Sequence, residues 1–483
     1  MRFQPIQPDR LAMTTNHPLA KAAPAPIGWT VSIGVGCGVA LSLVMAAEIL
    51  PSDVAFAALT TATAAAAGAA LVLTHKHLFD IRKLSLPAVA LMSYLVLIAA
   101  PATFVFLDEP GSSRFRYLIA VHSALFTIPL GVVLTEFVLG SSDRGAKPRA
   151  AIPHWARFSR LWDLLFVLAV AIVELHVYQV GFIPLAQALS LKGDWLAMAM
   201  LREESGNLLP GVVNQYLYYW NRILILPGLT MLAVGACLGG QKARWLPRAV
   251  AVSCVAVFHG TFTLEKSFSM IPFITTGAFL YLMARRRINL GYLLSIGAVA
   301  LSFPLLVFRW IVPESGLWTD VAFAFSRRIF GVPALVTYSY FELVPGQMDF
   351  LYGKTSKVMA YLTGSRFFDS ANYIFRQEFP NSIDTGTSNA CFVGTAWANF
   401  GWYGVIVEGL LAGILLQVLW RMIRKRQDVF TTALHALLII PFTIGFISLP
   451  LESLFLTYAV APAVAAWAIL TRFFLMPAPL RAD

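Results

Sequence analysis

Apolar runs of membrane length recur along most of this chain, and they limit its fold more than any other feature. Runs of roughly 18–25 residues with few charges are long enough to cross a bilayer as helices. They fall near 28–49, 54–74, 87–107, 117–139, 161–180, 217–238, 247–264, 268–284, 290–311, 390–420, 430–449 and 452–475. With 58% of residues hydrophobic and only 13% charged, this apolar surface cannot be hidden in one soluble core. The expected fold is therefore all-α and polytopic, with about twelve transmembrane helices in one membrane domain over 27–475. The run 390–420 is longer than one span needs, so it begins outside the membrane or tilts.

Orientation follows from Lys and Arg. Residues 1–26 hold Pro5, Pro8, Pro18, Pro24 and Pro26 and read as a disordered cytoplasmic tail, with a second short tail at 476–483. The first run is too long for the apolar region of a signal peptide and reads as an uncleaved span. If the N-terminus is inside, every inside segment carries basic residues, from Arg2, Arg10 and Lys21 to Arg421, Arg424, Lys425 and Arg426. The opposite face holds more acidic than basic residues. That asymmetry predicts an N-in, C-in topology. The formal net charge of +11 is then a topology signal beside anionic lipid, and nucleic acid loses its motivation as a partner.

Several functions are excluded on the same grounds. Cys37, Cys237, Cys254 and Cys391 lie in apolar runs without metal-type spacing and read as small buried hydrophobes. No metal or cofactor site is expected. The inside loops are short and no G-x-x-x-x-G-K-[ST] occurs, so the chain is not an ATP-driven pump on its own.

Polar residues concentrate in two outer loops, 181–216 and 312–389. The first holds Arg202 and re-enters the membrane through Tyr216-Leu217-Tyr218-Tyr219-Trp220-Asn221-Arg222. Aromatics there fit an interfacial belt. Arg222 falls just inside it and either snorkels to headgroups or forms an anion site facing the bundle. A tight turn between two runs carries Glu265-Lys266-Ser267. These two charges either neutralise each other or leave Lys266 with another partner.

The second loop carries helix-like pieces near 320–342 and 356–379. The first contains Arg327 and Arg328, with Pro333 as a kink or restart, and is expected to lie in the interface or dip partway in. Arg366 and Arg376 sit in the second among aromatics. Arginine reads phosphate as a planar multi-donor fork, and a lipid pyrophosphate lies at this depth. Aromatic faces and amides suit sugars, which brings in Tyr338, Tyr340 and Asn399. Glu342, Asp369, Asp384 and Glu265 are candidate general bases for an acceptor hydroxyl, with none standing out. The large loop contains no histidine.

The chain resembles the Wzy-type polymerases of O-antigen and other oligosaccharide repeat units. The resemblance covers roughly 160–420. It rests on the span and loop layout and on Arg328-Ile329-Phe330 followed by Pro333, Tyr338, Tyr340, Phe341, Pro345 and Gly353. It rests further on Gly394-Thr395-Ala396-Trp397-Ala398-Asn399-Phe400-Gly401-Trp402-Tyr403-Gly404, and on the Glu265-Lys266-Ser267 turn. It implies a bacterial inner-membrane glycosyltransferase acting at the periplasmic face. The donor would be a glycan on undecaprenyl pyrophosphate, the acceptor an incoming lipid-linked repeat unit, with no nucleotide sugar and no metal. A chain-length regulator and a flippase would be its partners besides the bilayer. Arg202, Lys266 and Arg328 match as the cations that neutralise the leaving group. Arg222, Arg327, Arg366 and Arg376 join them by position alone.

Two other readings compete. An O-antigen ligase would share the spans but would use a loop histidine that 312–389 lacks. A flippase or other transporter of lipid-linked oligosaccharide would line a cavity at mid-membrane with charges. In the sequence only Glu408 falls clearly mid-span.

Overall fold

The computed structural model describes residues 54–477, with breaks at 109–110, 141–150, 264–265, 285–318, 381–386 and 427, and only scattered residues within 185–210 and 319–325. In chain order the principal helices begin with α1 (Val54–Thr74), α2 (Leu86–Asp108), α3 (Ser112–Val138), α4 (Trp155–Val180), α5 (Tyr216–Leu238), α6 (Lys242–Phe262) and α7 (Lys266–Ala284). Three short helices follow: α8 (Val332–Leu343), α9 (Lys357–Leu362) and α10 (Ser370–Glu378). The chain closes with α11 (Phe392–Arg424), α12 (Val429–Ser448) and α13 (Val460–Phe474). Among the described residues, 7 helices are long and apolar enough to cross a membrane, namely α2 to α6, α11 and α12. The apolar parts of α1, α7 and α13 are shorter. The protein is a multi-pass helical membrane protein. The expected spans at 28–49 and 290–311 lie outside the described residues.

The axis of the bundle is α3. Its apolar window is 94% buried inside the protein, against 28% for that of α4. Close approach of α11 explains this. A Cβ added at Gly413 would lie 2.2 Å from Ile128 O, and one at Gly409 would lie 2.1 Å from Thr127 Oγ1. Small residues let two membrane helices touch backbone to backbone, where dispersion replaces the missing hydrophobic drive. At one end the pair is clamped. Arg424 and Arg421 donate to the Glu136 carboxylate at 2.8 and 3.2 Å, and Gln417 donates at 2.7 Å. Spare Arg421 hydrogens reach Gly140 O and Leu139 O.

Contacts between distant segments sort the helix ends into two sets. With the clamp go the ion pair of Arg248 with Asp163, Tyr281 OH on Arg82 O, and His435 Nε2 against Leu84 O. A two-stranded antiparallel ladder, β1 (Ala151–Pro153) with β2 (Leu475–Pro477), belongs there too. At the opposite end Trp220 Nε1 donates to Leu456 O, and Tyr117 OH donates to Ala334 O.

Proline shapes the helices. Leu95–Ala99, Asn221–Ile225 and Arg327–Gly331 are π-turns, and each ends two residues before a proline: Pro101, Pro227 and Pro333. A proline ring clashes with the carbonyl four residues back and offers it no N–H. One extra residue in the turn moves that carbonyl aside while the next amide still finds a partner, as Val332 N does on Arg327 O. The kink expected at Pro333 takes this form.

One expectation about 312–420 is met in one of its two forms and another is corrected. Of the interfacial and partly inserted positions expected for α8, its contacts fit the second. Its Arg327–Gly331 turn packs against Leu95–Ala99, midway along α2, and Ala334 and Tyr338 meet Tyr117 and Ser113 of α3. Packing of Ala334, Tyr340 and Phe341 into the core outweighs a position on the surface. The long run at 390–420 is not one tilted span. Gly401 (φ 58°, ψ −138°) breaks it into 392–400 and 402–424. The arms fold together: a Cβ at Gly404 would lie 2.2 Å from Ala396 O, and the Trp397 and Trp402 rings are 5.2 Å apart. The shorter arm starts deep, with Phe392 against Tyr94 at 5.9 Å and Cys391 Sγ on Phe446 O.

Glu136→Ala leaves the buried Arg421 and the partly buried Arg424 without their carboxylate. It should cost about 3–5 kcal/mol and lower the thermal unfolding temperature in detergent clearly more than Asp163→Ala at the half-exposed Arg248 pair.

Candidate functional site

The first π-turn with a charge is Asn221–Ile225 of α5. The extra residue turns both Asn221 and Arg222 inward, and both are buried. Arg222 does not snorkel. Its Nη1 donates to Thr263 Oγ1 at 2.8 Å, and its guanidinium lies 4.3 Å from the centroid of the Phe268 ring. Lys266 opens α7 between these two contacts in the chain, so the backbone carries it to the Arg222 neighbourhood. A guanidinium over an aromatic face in a dry site is held by about 2 kcal/mol or more.

Behind Arg222 runs a chain of buried polar groups. Asn221 Nδ2 donates to Ala169 O at 3.0 Å and faces His259 Nδ1 at 3.4 Å. An amide nitrogen only donates, so His259 Nδ1 accepts and its hydrogen sits on Nε2. That hydrogen points to His176 Nδ1, 3.1 Å away. The His176 hydrogen is then on Nε2. The His176 ring stacks on Tyr218 at 4.3 Å, and Tyr218 OH donates to Gln179. His176, His259 and Asn221 are all fully buried. Polar groups cost free energy in such a place unless bonded, and most of these are.

The second charged π-turn, Arg327–Gly331, exposes both Arg327 and Arg328 at the level of the middle of α2. Exposed arginines at this depth cannot face hydrocarbon cheaply, and such residues turn to water-filled clefts or partners. Above them, Tyr338 joins α3: its OH lies 3.1 Å from Ser113 Oγ, and the Arg114 guanidinium lies 5.3 Å from its ring. Arg114 also donates to Val105 O at 3.0 Å, and Asp108 is 3.6 Å away.

The remaining candidates belong to a cap over the bundle. Where Gly401 ends the first arm of α11, the Ala398 and Asn399 carbonyls lose their helical partners. Leu351 N and Tyr352 N replace them at 2.9 and 3.0 Å. The Asn399 side chain accepts from Gly353 N and donates to Thr355 Oγ1 and Thr395 O. Its amide is used up in fastening the cap to the helix. Tyr340 is buried with its OH toward Ser370 Oγ and Ser388 O, and burial pushes that hydroxyl well above its usual pKa. Asp369 caps α10 by accepting from Asn372 N at 3.0 Å. Glu342, Arg366 and Arg376 are exposed. Arg202, Glu265 and Asp384 lie outside the described residues.

The structure thus gathers Arg222 with the start of α7, and Tyr338 with α3, while Tyr340 and Asn399 serve the cap. Arg114, His176, His259 and Asn221 join the site only through their contacts in the fold. Ionisable or amide side chains inside apolar runs mark polar sites by default, and that signal was present for His176 and His259. Among the described residues no group of histidine, cysteine, aspartate and glutamate could hold a metal ion. No protein-family model, no curated protein and no solved structure matches the chain.

Asn399→Ala removes three hydrogen bonds at the root of the cap. Each is worth about 0.5–1.5 kcal/mol, so the variant should stay folded while 352–367 becomes sensitive to limited proteolysis. Unchanged cleavage kinetics would contradict the fastening role.

Proposed function

We propose that the protein is a membrane glycosyltransferase that polymerises undecaprenyl-pyrophosphate-linked oligosaccharide repeat units into O-antigen or a related polysaccharide. The observation that carries this reading is the placing of arginines by two π-turns, Arg222 at one and Arg327 with Arg328 at the other. Guanidinium groups held in a membrane bundle suit a lipid-borne pyrophosphate. The charge asymmetry supports an N-in, C-in chain of about twelve spans in the bacterial inner membrane, with the cap on the periplasmic side.

In this reading a hydroxyl of the incoming repeat unit attacks the anomeric carbon of the donor glycan. The new carbon–oxygen bond forms as the bond to pyrophosphate breaks. A carboxylate takes the hydroxyl proton, and undecaprenyl pyrophosphate leaves with its charge neutralised by Arg328, Arg327, Arg222, Lys266 and Arg202. Asp369 is committed to capping α10, so Glu342 is the better placed base of the two described in the cap. Arg114, close to Tyr338, is a further cation for the same anionic groups.

A second reading is favoured by one observation. The turn that carries Arg327 and Arg328 packs against the middle of α2, and a transporter of lipid-linked oligosaccharide would bind its cargo near the middle of its helices. The two readings separate in a deletion strain. Loss of the glycan ladder with a single repeat retained means polymerase, and accumulation of cytoplasmic-face intermediates means transporter.

Arg328→Ala should abolish polymerisation with expression intact, and normal chain length would sink its role. Arg328→Lys keeps the charge but loses the planar fork, so it should restore only a small part of the activity. Purified protein given lipid-linked repeat units should polymerise them in the presence of a chelator. Strict dependence on added divalent metal would contradict the mechanism.

A further inference from the structure

The cap contains a finger, 352–367, whose root is rigid and whose tip is uncovered. Backbone bonds tie its outgoing strand to α11, and Phe368 N returns to Lys354 O at 2.9 Å. Ser356 caps α9 within it by accepting from Met359 N. Ordinary soluble tips are polar. This one exposes Tyr352, Val358, Met359 and Leu362, and Tyr361 is 86% exposed. Lys354, Lys357 and Arg366 are exposed around them, with Lys357 Nζ 5.3 Å from the Phe367 ring centroid. Apolar tips rimmed by cations mark an interaction surface.

Its neighbour on α11 says what covers it. Tyr403, 83% exposed, heads a stripe through Val407, Leu411, Ile414 and Val418. That spacing is one helix face, and on a membrane helix an uncovered apolar face belongs to lipid. The finger stands at the head of this stripe: a Cβ at Gly353 would lie 3.5 Å from the Phe400 ring and 3.2 Å from Met359 Cβ. Aromatics beside lysine and arginine at the end of a lipid-facing stripe have the composition of a headgroup layer contact.

We propose that the 352–367 finger is a membrane anchor whose apolar tip lies in the headgroup region of the bilayer the bundle crosses, with Lys354, Lys357 and Arg366 on phospholipid phosphates. The cap is then held at two points, the α11 break and the bilayer surface. Arg366 serves lipid phosphate in this arrangement, and the anchor stands whether or not the protein is a polymerase.

The test uses the full chain in nanodiscs of phosphatidylethanolamine and phosphatidylglycerol, with the photo-cross-linker p-benzoylphenylalanine encoded at Tyr361. Illumination should yield phospholipid adducts by mass spectrometry, and Lys354→Glu with Lys357→Glu should lower their yield several-fold. A cross-linked pair of chains would overturn the proposal in favour of a second copy on the patch. Absence of any adduct, from position 361 and from Leu362 as a second reporter, would overturn it in favour of a solvated tip. Size-exclusion profiles matching the parent exclude misfolding as the cause.

Discussion

A peptide group that loses its partner inside a membrane cannot turn to water, and the prolines of this chain create that loss repeatedly. Pro101, Pro227 and Pro333 each remove a donor from a helix deep in the bundle. The chain answers with the same device, a π-turn just upstream, which keeps the neighbouring amides bonded and swings the turn's side chains off their former face. Two of these turns carry arginine. The third, Leu95–Ala99, is where one of the charged turns packs. At Asn221–Ile225 the helix defect and the charge are one feature: the defect turns Arg222 inward, and the bundle supplies the Phe268 ring and Thr263 hydroxyl that receive it.

Rigidity elsewhere makes such defects affordable. The α3 and α11 helices touch through Gly131, Gly409 and Gly413, and the buried Glu136 carboxylate is shared by Gln417, Arg421 and Arg424. Breaking such a pair costs far more than forming it gains, so its main effect is register, fixing which residues of the two helices lie side by side. With that end locked, the opposite end can carry the Gly401 reversal, the deep start at Cys391 and the cap. Irregular backbone at membrane depth is tolerated where protein buries it, and Cys391, Phe392 and Val393 are all fully buried.

Much of the helix layout was legible because apolar length and flanking charge are local properties. The runs near 87–107, 117–139, 161–180, 217–238 and 430–449 reappear as α2, α3, α4, α5 and α12 within a few residues. The reversal at Gly401 was not legible, since a folded-back pair of apolar arms and one long tilted span have the same hydropathy. The α8 segment was legible as lying in the interface or dipping partway in, and the packing of Ala334 and Phe341 into the core decides between the two. Of the candidate site, Arg222 was legible as a buried or snorkelling cation, and only packing against Phe268 decides between them. The role of His259 was not legible, because its partners His176 and Asn221 are distant in sequence.

The string from Gly394 to Gly404 shows what a family-like motif can mean physically. Gly401 adopts a positive φ that lets the helix reverse, Gly404 allows the arms to meet, and Asn399 takes the loop amide that the break leaves near it. Each residue is explained by the reversal, and none needs a substrate. The chemistry is better sought at the Arg327–Gly331 turn, which exposes Arg327 and Arg328 level with the middle of α2. A cleft open to water or to a lipid-linked anion satisfies that arrangement. The geometry of such a cleft separates the two functional readings, because a polymerase needs it open toward the cap alone and a transporter needs it open, in turn, to both ends of the bundle.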